Sequence, residues 1–142
     1  MFYLGRGLDY VIAVEGALKS KEISYIHSEA FASGELKHGT IALITDGVPV
    51  VVNATQSDLF EKSVSNIKEV TSRGAYVIAV AKEGNTVVEE VADEVFYIPD
   101  VEDDYAGFPT IVIHQLLAYY LSKLKGNDVD KPRNLAKSVT VE

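Results

Sequence analysis

Glu15, Lys19 and Glu22 recur at helical spacing in the run EGALKSKEISYIHSEAFASGELKHG, which occupies positions 15 to 39 and contains His38 near its end. At about 100° per residue the three charges fall within roughly 60° of one another, on an arc shared with Val11, Ile12, Leu18 and Ile23. A helix normally sorts charged and apolar residues onto opposite faces, so charge placed there needs a reason. In a structural reading, Ala13, Gly16 and Ala17 face a sheet and the charges face water. Glu15 and Lys19 then form an i,i+4 pair contributing roughly a few tenths of a kcal/mol. In a chemical reading the carboxylates line a cleft, where burial raises a glutamate pKa toward neutrality and suits it as a general base. Both readings fit the spacing.

The remaining polar residues offer weaker patterns. His27, His38 and His114 lack the paired spacing of zinc ligands and there is no cysteine to complete a set, so no metal site is expected. His114 sits in an apolar run with Ile111 and Leu117 and reads as a hydrogen-bonded core or surface histidine. His38, between Lys37 and Gly39, lies at a loop edge where an imidazole can be offered to a ligand. Gly5-Arg6-Gly7 stands where a doubly wound fold keeps its phosphate-binding turn, but the third glycine of GxGxxG would fall at Tyr10. It therefore reads as a tight turn, with Arg6 available to hold a carboxylate. The loop from Ala54 to Asp58 opens a helix whose N-terminus can receive an anion, yet Asp58 opposes this, and Ser57 or Asp58 is the expected N-cap.

These residues need a frame, and the pattern predicts one of alternating strands and helices. Strands are expected at Phe2–Leu4, Thr40–Thr45, Val48–Asn53, Tyr76–Ala81 and Glu94–Ile98. Asp46-Gly47 also permits a hairpin between the second and third of these. Helices are expected at Leu8–Tyr25, Ala30–Lys37, Leu59–Ser72, Val87–Ala92 and Thr110–Lys125, with Arg73-Gly74 and Gly126-Asn127 as stops. Asp100–Asp104 is an acidic loop. The alternation predicts an α/β fold, a three-layer α/β/α sandwich on a mainly parallel sheet.

The 142 residues suit one domain with one core, and their 47% hydrophobic and 24% charged content is that of an ordinary globular chain. A net charge of -8 opposes nonspecific nucleic-acid binding. The absence of cysteine fits a reducing, cytoplasmic setting, and no apolar run approaches the roughly 20 residues of a membrane span.

ALKSKEISYIHSEAFASGELKHG and KGNDVDKPRNLAKSVTVE, together with LGRG near the start, resemble the C-terminal part of the glutamine:fructose-6-phosphate aminotransferase family, within the sugar isomerase (SIS) superfamily. The resemblance covers nearly the whole chain. It implies a flavodoxin-like SIS domain over residues 1–126 and a tail, 127–142, that closes over the active site. It implies conversion of fructose 6-phosphate and glutamine-derived ammonia into glucosamine 6-phosphate, with no cofactor, in a homodimer. By the same resemblance Glu22 is the base that moves a proton between carbons 1 and 2 of the sugar, and Lys19 lies near the sugar oxygens. His38 opens the sugar ring in the neighbouring subunit. Lys137 forms a Schiff base with the ketose carbonyl, and the backbone of Ala136 lies against the sugar.

Two features depart from the family. The serine- and threonine-rich phosphate loop of the family's first SIS domain has no counterpart here, where ATQSD stands in its place, and the glutaminase cysteine is absent. The chain is therefore expected to lack a first SIS domain and a glutaminase domain, and to be inactive alone. A stand-alone SIS module that binds a sugar phosphate to regulate another protein is the alternative, as is a dimerisation scaffold built on the apolar helix around Ile111 to Leu121.

Overall fold

The computed structural model describes residues 1–133. Five strands form one parallel sheet in the order β2-β1-β3-β4-β5: β1 Phe2–Gly5, β2 Glu29–Ala32, β3 Pro49–Ala54, β4 Tyr76–Lys82 and β5 Glu94–Ile98. Three helices connect and cover them: α1 Leu8–Ser24, α2 Phe60–Thr71 and α3 Gly107–Leu124.

Alternation along the strands divides the core. Leu4, Val50, Val52, Val77 and Ala79 point to one face, against Val64, Ile67 and Val70 of α2 and against Leu36 and Val88. Tyr3 and Val51 point to the other, where Ala13 and Ala17 of α1 and Leu117 of α3 meet them. Both faces are covered, as an all-parallel sheet requires, and the expected three-layer sandwich is formed.

Gly5 has no side chain for a local reason. A Cβ there would lie 2.3 Å from the backbone carbonyl group of Asp9, so only glycine lets β1 turn directly into α1.

Two expected elements are different. The predicted helix over Ala30–Lys37 is instead the edge strand β2 followed by a 3-10 turn at Ser33–His38. The free edge of β1 recruits Glu29–Ala32 into ladder bonds, and Phe31 packs near Phe2 with ring centroids 6.0 Å apart. The predicted strand over Thr40–Thr45 is a 3-10 turn at Thr40–Leu43. The two edges of β1 are taken by β2 and β3, so the run joins the α2 layer, with Ile44 buried and Ile41 packed on the same core. The hairpin is absent too: Gly47 donates its N–H to the carbonyl of Gly74 at 2.7 Å. No described helix is long and apolar enough to cross a membrane.

Candidate active site on α1

On α1 the geometry shows the main features of the structural reading, small residues on the sheet and paired charges outside them. Ala13 and Ala17 are buried against the sheet, as the structural reading expects. Gly16 meets both the Tyr3 ring of β1 and the His114 ring of α3. Lys19 donates to Glu22 Oε2 at 2.9 Å and lies 3.4 Å from Glu15 Oε1. The Lys19 and Glu22 side chains keep only 30% and 29% of their exposure, so this is a partly sheltered triad and not a fully solvated surface pair. The hydrogen bond it donates to Glu22 and, behind it, the charge of both glutamates raise the Lys19 ammonium above its ordinary pKa and keep it protonated. The shorter bond is to Glu22.

Three residues of the α3 end fix the helix terminus that carries Glu22. The Ser122 hydroxyl donates to the Ile23 carbonyl at 2.8 Å, Lys125 Nζ donates to the Ser24 carbonyl at 2.7 Å, and Asn127 Nδ2 lies 3.4 Å from both. Carbonyls that a helix end leaves without partners are thus satisfied, partly by a cation that also suits the negative end of the helix dipole. Tyr25 follows in the left-handed conformation with φ 58°, uncommon for a residue with a side chain. Its hydroxyl accepts the Arg133 N–H at 2.9 Å, and the Arg133 guanidinium lies 3.8 Å from its ring centroid. The last described residue is therefore docked three positions beyond Glu22. Ala136 and Lys137 lie outside the described residues.

His38 ends the Ser33–His38 turn and is exposed, with Leu36 buried beneath it and Lys37 paired to Glu69 of α2 at 2.6 Å. It belongs to the α2 layer, whereas Glu22 and Lys19 belong to the α1 layer. The sheet stands between them, so one chain does not bring these residues into one site. Among the described residues no group of three or more His, Asp or Glu side chains could hold a metal ion.

His114 departs from expectation. It is fully buried, and neither ring nitrogen has a hydrogen-bond partner among the described residues. Burial pushes its pKa down to about 4, so the ring is neutral at physiological pH.

The loop that follows β3 is the place where an open α/β sheet receives a ligand, because strand order reverses between β1 and β3. Here the protein's own carboxylates fill it. Asp9 accepts the Thr55 N–H at 2.8 Å, the Thr55 hydroxyl at 2.5 Å and the Gln56 N–H at 3.3 Å. Asp103 accepts the Ser57 N–H at 2.7 Å, its hydroxyl at 2.8 Å and the Lys82 ammonium at 2.5 Å. Burial pushes the Asp9 carboxyl up against the opposing pull of the Thr55 bonds, while the Lys82 hydrogen bond holds Asp103 below its ordinary value. Neither Ser57 nor Asp58 caps α2, which starts without a side-chain cap because Ser57 is spent on Asp103. Asp9, Asp103 and Lys82 were missed by the sequence reading. The available signal was an acidic run, Asp100–Asp104, in the loop that leaves β5 at the same end of the sheet.

Comparison with known proteins places this geometry among relatives. The SIS domain family matches residues 1–124. The glutamine–fructose-6-phosphate aminotransferase [isomerizing] of Clostridium acetobutylicum is 65% identical over all 142 residues, which cover 23% of that protein. Its counterpart from Caldanaerobacter subterraneus is 63% identical over the same span, again 23% of its length. The chain thus spans about a quarter of the length of these relatives. Among solved structures, the C-terminal domain of glucosamine-fructose-6-phosphate aminotransferase from Francisella tularensis is similar with a TM-score of 0.82 and 42% identity. The similarity covers 90% of this chain and 36% of that one.

Proposed function

Because this chain belongs to the SIS domain family, we propose that it acts as the second, C-terminal SIS domain of a glutamine:fructose-6-phosphate aminotransferase. In that role it supplies residues for turning fructose 6-phosphate and ammonia into glucosamine 6-phosphate. The observation that carries the reading is the Glu22–Lys19 pair on α1, in a chain 65% identical along its whole length to an enzyme of that name.

The chemistry asks for a base that takes a proton from carbon 1 and returns it to carbon 2. Glu22 is a carboxylate held at a helix end, sheltered but not sealed, and Lys19 beside it is a fixed cation suited to the enolate-like oxygen. Lys137 takes the Schiff-base role, its amine adding to the ketose carbonyl as water leaves, with the Ala136 backbone against the sugar. The docking of Arg133 on Tyr25 supports this assignment. Lys137 is four residues further on, and four residues reach at most about 14 Å.

His38, on the opposite layer from Glu22, serves the neighbouring subunit of a homodimer. Exposed apolar side chains on the α1–α3 layer, Val11 on α1 and Phe108, Val112, Leu116 and Tyr120 on α3, support a covering partner domain there. A cytoplasmic setting suits these soluble substrates.

The filled loop at Thr55–Ser57 supports the further reading that substrate phosphate is anchored on a first SIS domain outside this chain. The test is direct. Fructose 6-phosphate added to the chain alone gives no glucose 6-phosphate, and fusion behind the first SIS domain of the Clostridium relative restores turnover. Glu22→Gln in the fusion lowers it by about a hundred- to ten-thousandfold. Turnover by the chain alone, or a Glu22→Gln fusion at the unsubstituted rate, overturns the proposal.

A further inference from the structure

A groove opens between α2 and the Ser33–His38 turn, on the opposite side of the sheet from Glu22. Its upper part is a cavity of about 200 Å³ lined by Arg6, Gly34, Lys37, Lys62, Asn66 and Glu69. It continues past Lys37 and Glu69 into a second space of about 250 Å³ that reaches Arg73. Four cations and one carboxylate therefore line these two adjoining spaces in a chain whose net charge is -8.

The charges in it are not equally engaged. Glu69 is answered twice, by Lys37 at 2.6 Å and by Asn66 Nδ2 at 3.2 Å. Arg6 is aimed rather than neutralised: its Nε–H donates to Oδ1 of the buried Asn66 at 2.9 Å, which fixes the plane of the guanidinium. Its outer fork lies over Gly34, where a Cβ would stand 3.3 Å from Nη1. Among the described residues no carboxylate lies within 4.0 Å of Arg6 or Lys62. A planar fork held by a buried amide, in a groove that a second cation also lines, is suited to a compact dianion.

We propose that this groove binds a phosphate-bearing small molecule, with the Arg6 fork and the Lys62 ammonium as its anchors. The net negative charge of the chain opposes a long polyanion and leaves a compact one as the ligand. The loop at Thr55–Ser57, where a doubly wound fold would otherwise hold a phosphate, is closed to it by Asp9 and Asp103. The site does not rest on the catalytic role of α1, and loss of one reading leaves the other standing.

The experiment is a calorimetric titration of the unsubstituted chain at low ionic strength, first with inorganic phosphate and then with fructose 6-phosphate. The first arm reads the phosphate contact alone and the second reads the ester. Both are expected to saturate. Arg6→Gln and Lys62→Gln each weaken both by about tenfold, the worth of one charge-assisted contact. Lys123→Gln on α3 leaves them unchanged. Lys62 is exposed, so its variant keeps the fold intact should Arg6→Gln disturb the Asn66 bond. Absence of saturable binding by the unsubstituted chain, or affinities that the Lys62 substitution does not move, overturns the proposal.

Discussion

Gly16 of α1 meets the His114 ring of α3 so closely that a Cβ on it would lie 2.8 Å from the ring Cγ. The same ring stands edge-on to Tyr3 of β1, centroids 5.4 Å apart at 75°, and the Tyr3 hydroxyl shares a 2.6 Å hydrogen bond with Ser20. Strand, helix and helix thus meet at one glycine, and the α1 axis that carries Glu22 is set by that contact.

Gly16→Ala therefore sets two effects against each other. Alanine favours a helix interior by about 1 kcal/mol over glycine. Forcing a methyl into a filled contact costs about 1–3 kcal/mol. Because the atom it meets is a buried ring with no room to retreat, the steric cost wins. The variant is expected to unfold at lower urea with an unchanged slope, and a midpoint at or above that of the parent refutes the account.

His114 gives the chain a pH dependence of definite sign. Its folded pKa is pushed down to about 4 from an ordinary 6.5, by burial without hydrogen bonds among the described residues. Between those values the unfolded chain binds a proton that the folded chain does not, so stability falls as pH drops from 6.5 toward 4. The loss amounts to about 3 kcal/mol at most. His114→Phe keeps an aromatic ring and removes the titrating group. The difference in unfolding free energy between the two proteins should grow steadily from pH 7 to pH 4.5 in favour of phenylalanine; a constant difference would contradict the assignment.

The frame was legible where a residue's job is local. Continuous apolar runs announced β3, β4 and β5, and Gly5 announced the first turn. Thr40–Thr45 failed because its β-branched run has strand propensity, while a strand also needs an edge to pair with, and β2 and β3 had taken those of β1. Ala30–Lys37 failed for the converse reason: a free edge made a strand of residues that carry no strong strand pattern. In the candidate site, charge on an apolar arc drew attention to Glu15, Lys19 and Glu22 but left a surface pair and a cleft equally open, and only the resemblance to the family singled out Glu22 and Lys19. Asp9, Asp103 and Lys82 could not, since their partners lie 46, 46 and 21 positions away in sequence. Lys137 stands in a polar run with no local mark.

Lys82 and Asp103 carry the next prediction. Lys82 is buried, and Asp103 is its only carboxylate within 4.0 Å among the described residues. Asp103→Ala strands that ammonium and frees the Ser57 N–H, at a cost of about 3 kcal/mol reduced by the solvent that reaches the Asp103 side. Adding Lys82→Met removes the stranded charge and should recover much of the loss. Guanidinium unfolding of the two variants checks it, and a double variant no more stable than the single one would refute an electrostatic cause. Since Lys82 holds Asp103 below its ordinary pKa, the bond's contribution is full above that ordinary value and is lost as pH falls through the lowered one.

The Tyr25–Arg133 contact joins the end of α1 to the segment leading toward Lys137. Tyr25 adopts φ 58° with its ring under a guanidinium and its hydroxyl on a backbone N–H, so one side chain makes two contacts with Arg133, whose described neighbours 127–132 form no helix or strand. The cation–π contact at such an exposed position contributes about 0.5–1 kcal/mol. In the two-domain fusion described above, Arg133→Ala should lower kcat/KM by roughly two- to fivefold, the equivalent of that energy. Tyr25→Phe keeps the ring and loses only the hydroxyl, so its effect should be smaller, whereas Tyr25→Ala removes both contacts and should exceed Arg133→Ala. Steady-state kinetics on the three variants would show that order if the joint brings Lys137, in its proposed Schiff-base role, to Glu22. Equal rates for all three would mean that the segment reaches the site without it.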